Sequence, residues 1–117
     1  MTMFGHTHAP QVTADQAIAM LRDGAALIDV REDDEWQAGH APDATHIPLG
    51  QLGATVSQMD RAQPLVIICR SGRRSDNATV ALRQAGYDAY NFIGGMHAWH
   101  QAGGAVIAAD GQPGTVI

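Results

Sequence analysis

Leu65-Val66-Ile67-Ile68-Cys69-Arg70-Ser71-Gly72-Arg73-Arg74-Ser75 is the stretch on which the reading of this chain turns. A short apolar run ends at the chain's one cysteine, and the loop residues 70–75 that follow are polar or glycine. Asp76-Asn77-Ala78-Thr79-Val80-Ala81-Leu82-Arg83 then has the composition of a helix. A buried strand, a sharp turn and a helix start put Cys69 at the strand's carboxyl end, among backbone N–H groups. Open α/β sheets carry their chemistry at that end.

Downstream, Gly86 ends the helix and Ala89-Tyr90-Asn91-Phe92-Ile93 reads as the next strand. Gly94-Gly95 follows it, and a short helix carrying Met96, Ala98 and Trp99 stops at Gly103-Gly104. Residues 104–117 form a tail with Gly111, Pro113 and Gly114, read either as a final extended pass or as a disordered end. Upstream, Asp60 to Pro64 is a surface connection, and Leu49, Leu52, Val56 and Met59 make a helical stripe. Thr45-His46-Ile47-Pro48 is a very short strand that its proline places at or near an edge.

Ala25 to Val30 is a short buried strand that closes on Asp29-Val30-Arg31. Glu32-Asp33-Asp34-Glu35 then loads acid onto the start of a short helix, where the dipole favours it, with Trp36 as its core anchor. Thr13-Ala14-Asp15-Gln16 is a capping box for a first helix that Gly24 ends. Residues 1–10 lack periodicity and read as a flexible arm; its His6 and His8 have no third ligand, so no metal site is read there. Strands alternating with helices predict an α/β fold with one parallel sheet and helices on both faces.

At 117 residues the chain is one domain, 1–117, with a core over about 12–103. The single cysteine excludes an internal disulfide and any resolving thiol within the chain. The net charge of -5 argues against nucleic-acid binding. All seven basic residues are arginine, and three of them, Arg70, Arg73 and Arg74, follow Cys69 closely. An acidic chain that gathers its scarce positive charge beside one thiol is built to handle an anion there. The N-terminus lacks the charge and apolar pattern of a signal peptide, and no apolar run reaches the roughly 20 residues of a membrane span. A cytoplasmic protein without a membrane partner is expected.

With these residues in view, the chain resembles the single-domain rhodanese, or thiosulfate sulfurtransferase-like, family. Three ordered matches carry the resemblance. Leu27-Ile28-Asp29-Val30-Arg31 with Glu35-Trp36, Gly39-His40 and Ile47-Pro48 is similar to the family's first segment; Cys69 to Ser75 is similar to its active-site loop. Gly94-Gly95-Met96-His97-Ala98-Trp99 is similar to its closing motif. Asp43 and His46 depart from the family's usual glycine and asparagine, and the tail after Gly104 has no counterpart. The resemblance implies a three-layer domain around a central parallel sheet of about five strands.

It also implies a reaction. Cys69 takes a sulfane sulfur from a small anionic donor such as thiosulfate, carries it as a persulfide, and yields it to cyanide or a cellular thiol. Thioredoxin-like or other sulfur-relay proteins are the implied partners, and no bound cofactor is needed. Arg70 and Arg73 are the first candidates for orienting the donor, because the guanidinium presents a planar fork to oxyanions. Arg31 adds positive charge from the neighbouring strand end, with Asp29 tying the turns together, unless the two are simply a structural pair. Arg74 either joins the donor site or turns inward to a carboxylate. Backbone N–H groups of Arg70, Ser71, Gly72, Arg73, Arg74 and Ser75, with the arginines, predict a thiol that ionises below the usual pKa of about 8.5.

Three other functions share these residues: a carrier fed by a protein persulfide, a Cys-dependent phosphatase or arsenate reductase, and a rhodanese-fold module that only binds. Phosphatase loops set five residues between the cysteine and a phosphate-gripping arginine. Here that position is Ser75, and Arg74 falls one residue short. The shorter ring suits sulfur, and inactive versions of the fold typically lack the cysteine that this chain keeps. His40 is read as fixing a turn, and His97 with His100 as a polar helix face.

Overall fold

In the computed structural model, which describes residues 9–117, a five-stranded all-parallel sheet is flanked by helices on both faces. The elements in order are β1 (Gln11–Val12), α1 (Ala14–Arg22), β2 (Ala26–Asp29), α2 (Asp33–Ala38), β3 (Thr45–His46), a 3₁₀ turn (Leu49–Gln51), and α3 (Leu52–Val56). They continue with β4 (Leu65–Ile68), α4 (Arg73–Gln84), β5 (Ala89–Phe92) and α5 (Gly95–Gln101). The strand order is β1-β5-β4-β2-β3. The His6 and His8 pair lies outside the described residues.

The three long strands are apolar on both faces, as a sheet covered on both sides demands. Period-two alternation divides them cleanly. Ile28, Leu65 and Ile67 pack with Leu52 and Val56 of α3 and with Ala78 and Leu82 of α4. Leu27, Val66, Ile68 and Phe92 pack on the other face with Ala17 of α1 and Met96 of α5. Cys69 continues the first alternation and so faces α4.

From β4 the chain crosses to β5 on one side, and from β2 it crosses to β3 on the other. The carboxyl ends of β2 and β4 therefore form the topological switch point, where open α/β sheets place ligands. The two strands run in register, Ile28 beside Ile67 and Asp29 beside Ile68. Asp29-Val30-Arg31 and the Cys69 loop consequently leave the sheet side by side.

The capping box forms as read: Thr13 Oγ1 accepts from the Gln16 N–H, and Gln16 accepts from the Thr13 N–H. Four expectations are corrected. The first strand at the edge is Gln11–Val12, paired with Asn91 and Phe92, a segment where the sequence predicts no element. α4 begins at Arg73 rather than Asp76, so the loop is only Arg70 to Gly72. The stripe over 49–59 divides into a 3₁₀ turn and a short helix. Trp36 is half-buried rather than a core anchor, with its ring stacked on that of His40 at 3.5 Å and on that of His46 at 4.7 Å.

The tail is neither a single extended pass nor a loose end: it doubles back through a turn over 109–112, with Ile107 bridged antiparallel to both His40 and Pro113. Ile107 and His40 exchange backbone hydrogen bonds of 2.9 Å, and Thr115 N–H donates to Ala38 O at 2.9 Å. These contacts cover the end of α2. His40 fixes the turn there, its Nδ1 lying 2.7 Å from Trp36 O.

Candidate active site

Cys69 is fully buried, and its Sγ meets three donors: the Gly72 N–H at 3.2 Å, the Ser75 N–H at 3.3 Å and the Ser75 hydroxyl at 3.2 Å. The first comes from the turn and the other two from the opening of α4. Gly72 makes this geometry possible. It sits at φ 102°, a conformation only glycine adopts without strain, and it reverses the chain in one residue so that α4 starts directly over the sulfur.

The loop is held from the opposite side by α5. Met96 N–H donates to Cys69 O at 2.7 Å and His97 N–H donates to Arg70 O at 3.1 Å. A Cβ on Gly95 would lie 2.5 Å from Cys69 O and 2.6 Å from Arg70 O. The Gly94-Gly95 pair in the sequence is therefore a docking surface for the loop backbone.

Burial pushes the Cys69 thiol up, but the Ser75 hydroxyl and the N–H groups of Ser75, Gly72 and Ser71 outweigh it, so the thiol lies below its ordinary pKa. Each of these donors favours the ionised sulfur over the neutral one.

The arginines separate. Arg70 and Arg73 are exposed at the rim of the loop. Arg74 turns inward, one of the two orientations its sequence position allowed. Its Nη1 and Nη2 donate to the two carboxylate oxygens of Glu35 on α2, at 2.7 and 2.8 Å. That hydrogen bonding, opposed by burial and aided by the Glu32 N–H and by the charges of Arg74 and Arg31, lowers Glu35 from 4.5 to about 2. Arg74 is raised correspondingly, first by its Glu35 hydrogen bonds and also by the charge on Cys69.

Arg31 does not face the donor, the first of its two readings; its side chain has no exposed surface, and the structural pair with Asp29 is the reading realised. Its Nη2 donates to Asp29 Oδ2 at 2.8 Å and to Gly39 O at 2.7 Å, and its Nε reaches both Asp29 oxygens. Nη1 has no hydrogen-bond partner among the described residues. A guanidinium enclosed by protein needs a counter-charge, and the carboxylate two residues away supplies it. Asp29 does tie the turn: its Oδ1 also accepts from the Arg31 N–H at 3.0 Å. His46, the departure from the family pattern, binds the same turn through Nε2, 2.8 Å from Arg31 O.

Two residues of the site have no role in it from sequence alone: Glu35 reads as helix-start acid and as part of the first family-like segment, and Asn91 as a strand residue. Asn91 is buried beneath the loop and contacts both Ser75 and Gly72. The available signal was a polar amide of low strand propensity inside an otherwise apolar run. Beside the loop, a cavity of about 770 Å³ is lined by Gln11, Ser71, Gly72, Arg73, Asn91 and Gly94, among others. Among the described residues no cluster of His, Cys, Asp and Glu could hold a metal ion, and no helix is long and apolar enough to cross a membrane.

A family model for the rhodanese-like domain matches residues 13–102. A Bacillus subtilis (strain 168) protein named "Putative sulfurtransferase YtwF" is 44% identical over 73 residues, 62% of this chain and 71% of that one. Among solved structures, a rhodanese-related protein from Thermoplasma volcanium superposes with a TM-score of 0.77 at 26% identity, covering 84% of this chain and 97% of the other. A rhodanese-like domain protein from Staphylococcus aureus gives a TM-score of 0.70 at 32% identity, covering 77% and 90%.

Proposed function

This chain belongs to the rhodanese-like domain family, and from that premise we propose that it transfers a sulfane sulfur through a persulfide on Cys69. The observation that carries the reading is the set of donors converging on a buried Sγ at 3.2–3.3 Å.

In the first half-reaction the Cys69 thiolate attacks the outer sulfur of thiosulfate. A new S–S bond forms to Sγ, the donor's S–S bond breaks, and sulfite leaves with the electron pair. The negative charge stays in the loop, now on the outer sulfur of the persulfide. In the second, an acceptor nucleophile takes that sulfur: cyanide becomes thiocyanate, or a thiolate becomes a persulfide. The Sγ–S bond breaks and returns its electron pair to Cys69. The backbone N–H donors of the ring, from Gly72 and Ser75, are fixed before the reaction starts, so they stabilise the anion without reorganising, as an oxyanion hole does.

Because Cys69 is enclosed, the donor reaches it as the rim residues Arg70, Ser71 and Arg73 part. Arg70 and Arg73 hold the sulfonate end of the donor by charge and by paired N–H groups. Arg74 is already committed to Glu35, so it positions α4 rather than the donor. With Arg74, the arginine one position short of the phosphatase position, committed to Glu35, the loop lacks the phosphate grip of a phosphatase. The cysteine carries the sulfur itself, so the reaction calls for no bound cofactor. A single thiol with no resolving partner hands its sulfur to another molecule, which fits a reducing, cytoplasmic setting.

Intact-mass spectrometry after thiosulfate exposure tests the proposal. The protein gains one sulfur atom at Cys69, loses it on adding cyanide, and Cys69→Ser gains none. No gain from thiosulfate but a gain from a protein persulfide would make the chain a relay carrier. No gain from either would overturn the reading.

A further inference from the structure

The Ser75 hydroxyl carries one proton and has two acceptors within reach: Cys69 Sγ at 3.2 Å and Asn91 Oδ1 at 2.5 Å. Which acceptor holds it is decided by a chain of amides. Gln11 Nε2 faces the Ala9 carbonyl at 2.9 Å and an Asp76 carboxylate oxygen at 2.7 Å, both of which only accept. Its Oε1 therefore turns to Asn91 and requires Nδ2 there, at 2.8 Å. The Gly72 carbonyl, 3.2 Å from the same nitrogen, imposes the same orientation. Asn91 Oδ1 is thus fixed toward Ser75, and two oxygens at that separation need a proton between them.

We infer that Asn91 is a positioning residue that holds the Ser75 proton away from sulfur, so that the hydroxyl turns over each time Cys69 becomes an anion. With a neutral thiol, the Cys69 S–H faces the Ser75 oxygen while Ser75 donates to Asn91. When Sγ is a free thiolate, the hydroxyl rotates to donate to it and leaves Asn91 Oδ1 without that proton. In a persulfide the charge sits on the outer sulfur, Sγ is again bonded, and the proton returns to Asn91. No covalent bond changes at Ser75 or Asn91; only the hydroxyl turns. The persulfide step rests on the sulfur-transfer reading above, and the thiolate step does not.

The consequence is a brake on ionisation. Every donor in the ring favours the thiolate; the Asn91 side-chain carbonyl, an acceptor, competes with the sulfur for one of them. The charged and titratable groups at this end of the sheet include Arg70 and Arg73 at the loop, Arg74 with Glu35 of α2, Glu32 just before α2, Asp76 on α4, His97 on α5, and the Asp29–Arg31 pair after β2. An uncharged substitution at Asn91 leaves all of them in place.

Alkylation of Cys69 by iodoacetamide, followed against pH, tests this. Asn91→Leu, close in size but without an acceptor, frees the Ser75 proton. The midpoint moves to lower pH, and alkylation below the midpoint becomes roughly two- to fivefold faster. In the Ser75→Ala background the same substitution gives no downward shift. A midpoint that stays or rises in folded Asn91→Leu overturns the inference, since a merely structural asparagine would loosen Gly72 and weaken the ring. If that variant does not fold, the wild-type protein serves. The Asn91 side-chain carbonyl carbon resonance moves with the Cys69 titration, and in Ser75→Ala it does not. A resonance that ignores the titration, or moves equally without Ser75, overturns it. Thiosulfate loading, followed by mass, tests sulfur transfer independently of either outcome.

Discussion

The carboxyl ends of β2 and β4 are neighbours in register, and each leads into a titratable side chain, Asp29 or Cys69, with an arginine within two residues. They do opposite things with it. After β2, the charges of Asp29 and Arg31 cancel in a fully buried pair, and the turn is closed to solvent chemistry. After β4, Cys69 is surrounded by neutral donors, while Arg70 and Arg73 remain at the surface. Counter-charges sequence-adjacent to a buried group make a structural pin. Backbone dipoles around a group of the opposite sign leave its charge available for reaction.

The largest effect is expected from breaking the pin. Asp29→Asn leaves a buried guanidinium without its counter-charge, at a cost of about 3–5 kcal/mol, measured from urea unfolding. A loss below about 1 kcal/mol would mean that the two ends are less different than their burial implies. Gly95→Ala attacks the other end through its backbone, setting a methyl against Cys69 O and Arg70 O. It costs about 1–3 kcal/mol of stability and slows Cys69 alkylation as the loop shifts.

Glu35 joins the two regions, through Arg74 to the loop and through charge to Arg31. Its folded pKa is depressed, so its contribution is fully present above about 4.5 and is lost as pH falls through about 2. Arg74 is 36% exposed, so solvent screening reduces the contribution to about 1–2 kcal/mol. Glu35→Gln therefore lowers stability by that amount at pH 7, and the variant and wild-type curves converge across the acid window. A difference unchanged at low pH would assign the effect to packing. The smallest change is Arg73→Ala, a roughly two- to fivefold rise in KM for thiosulfate with kcat kept. A fall in kcat alone would place Arg73 in the ring instead.

The sheet was legible because β2, β4 and β5 are apolar runs closed by turns, and α1 announces itself with a capping box. β1 was not, since a two-residue strand has no periodicity and exists only through its pairing with β5. α4 starts three residues earlier than read, at Arg73, although cations are unfavourable at a helix N-terminus. The structure offsets this by sending Arg74 to Glu35 and leaving Arg73 in water. The nucleophile's surroundings were written in local sequence, as a loop must be. The two readings of Arg31 stayed open because a strand-end arginine reads the same whether it points in or out. The roles of Asn91 and Gln11 depend on contacts across 16 and 80 positions, which no local pattern encodes.

The central claim is that neutral donors, not a neighbouring cation alone, favour the Cys69 thiolate and lower its pKa. The pH dependence of its alkylation rate measures this directly, in wild type and in Ser75→Ala. The account predicts a wild-type midpoint below the ordinary thiol value of about 8.5, rising when the hydroxyl is removed. A wild-type midpoint at or above that value would contradict it.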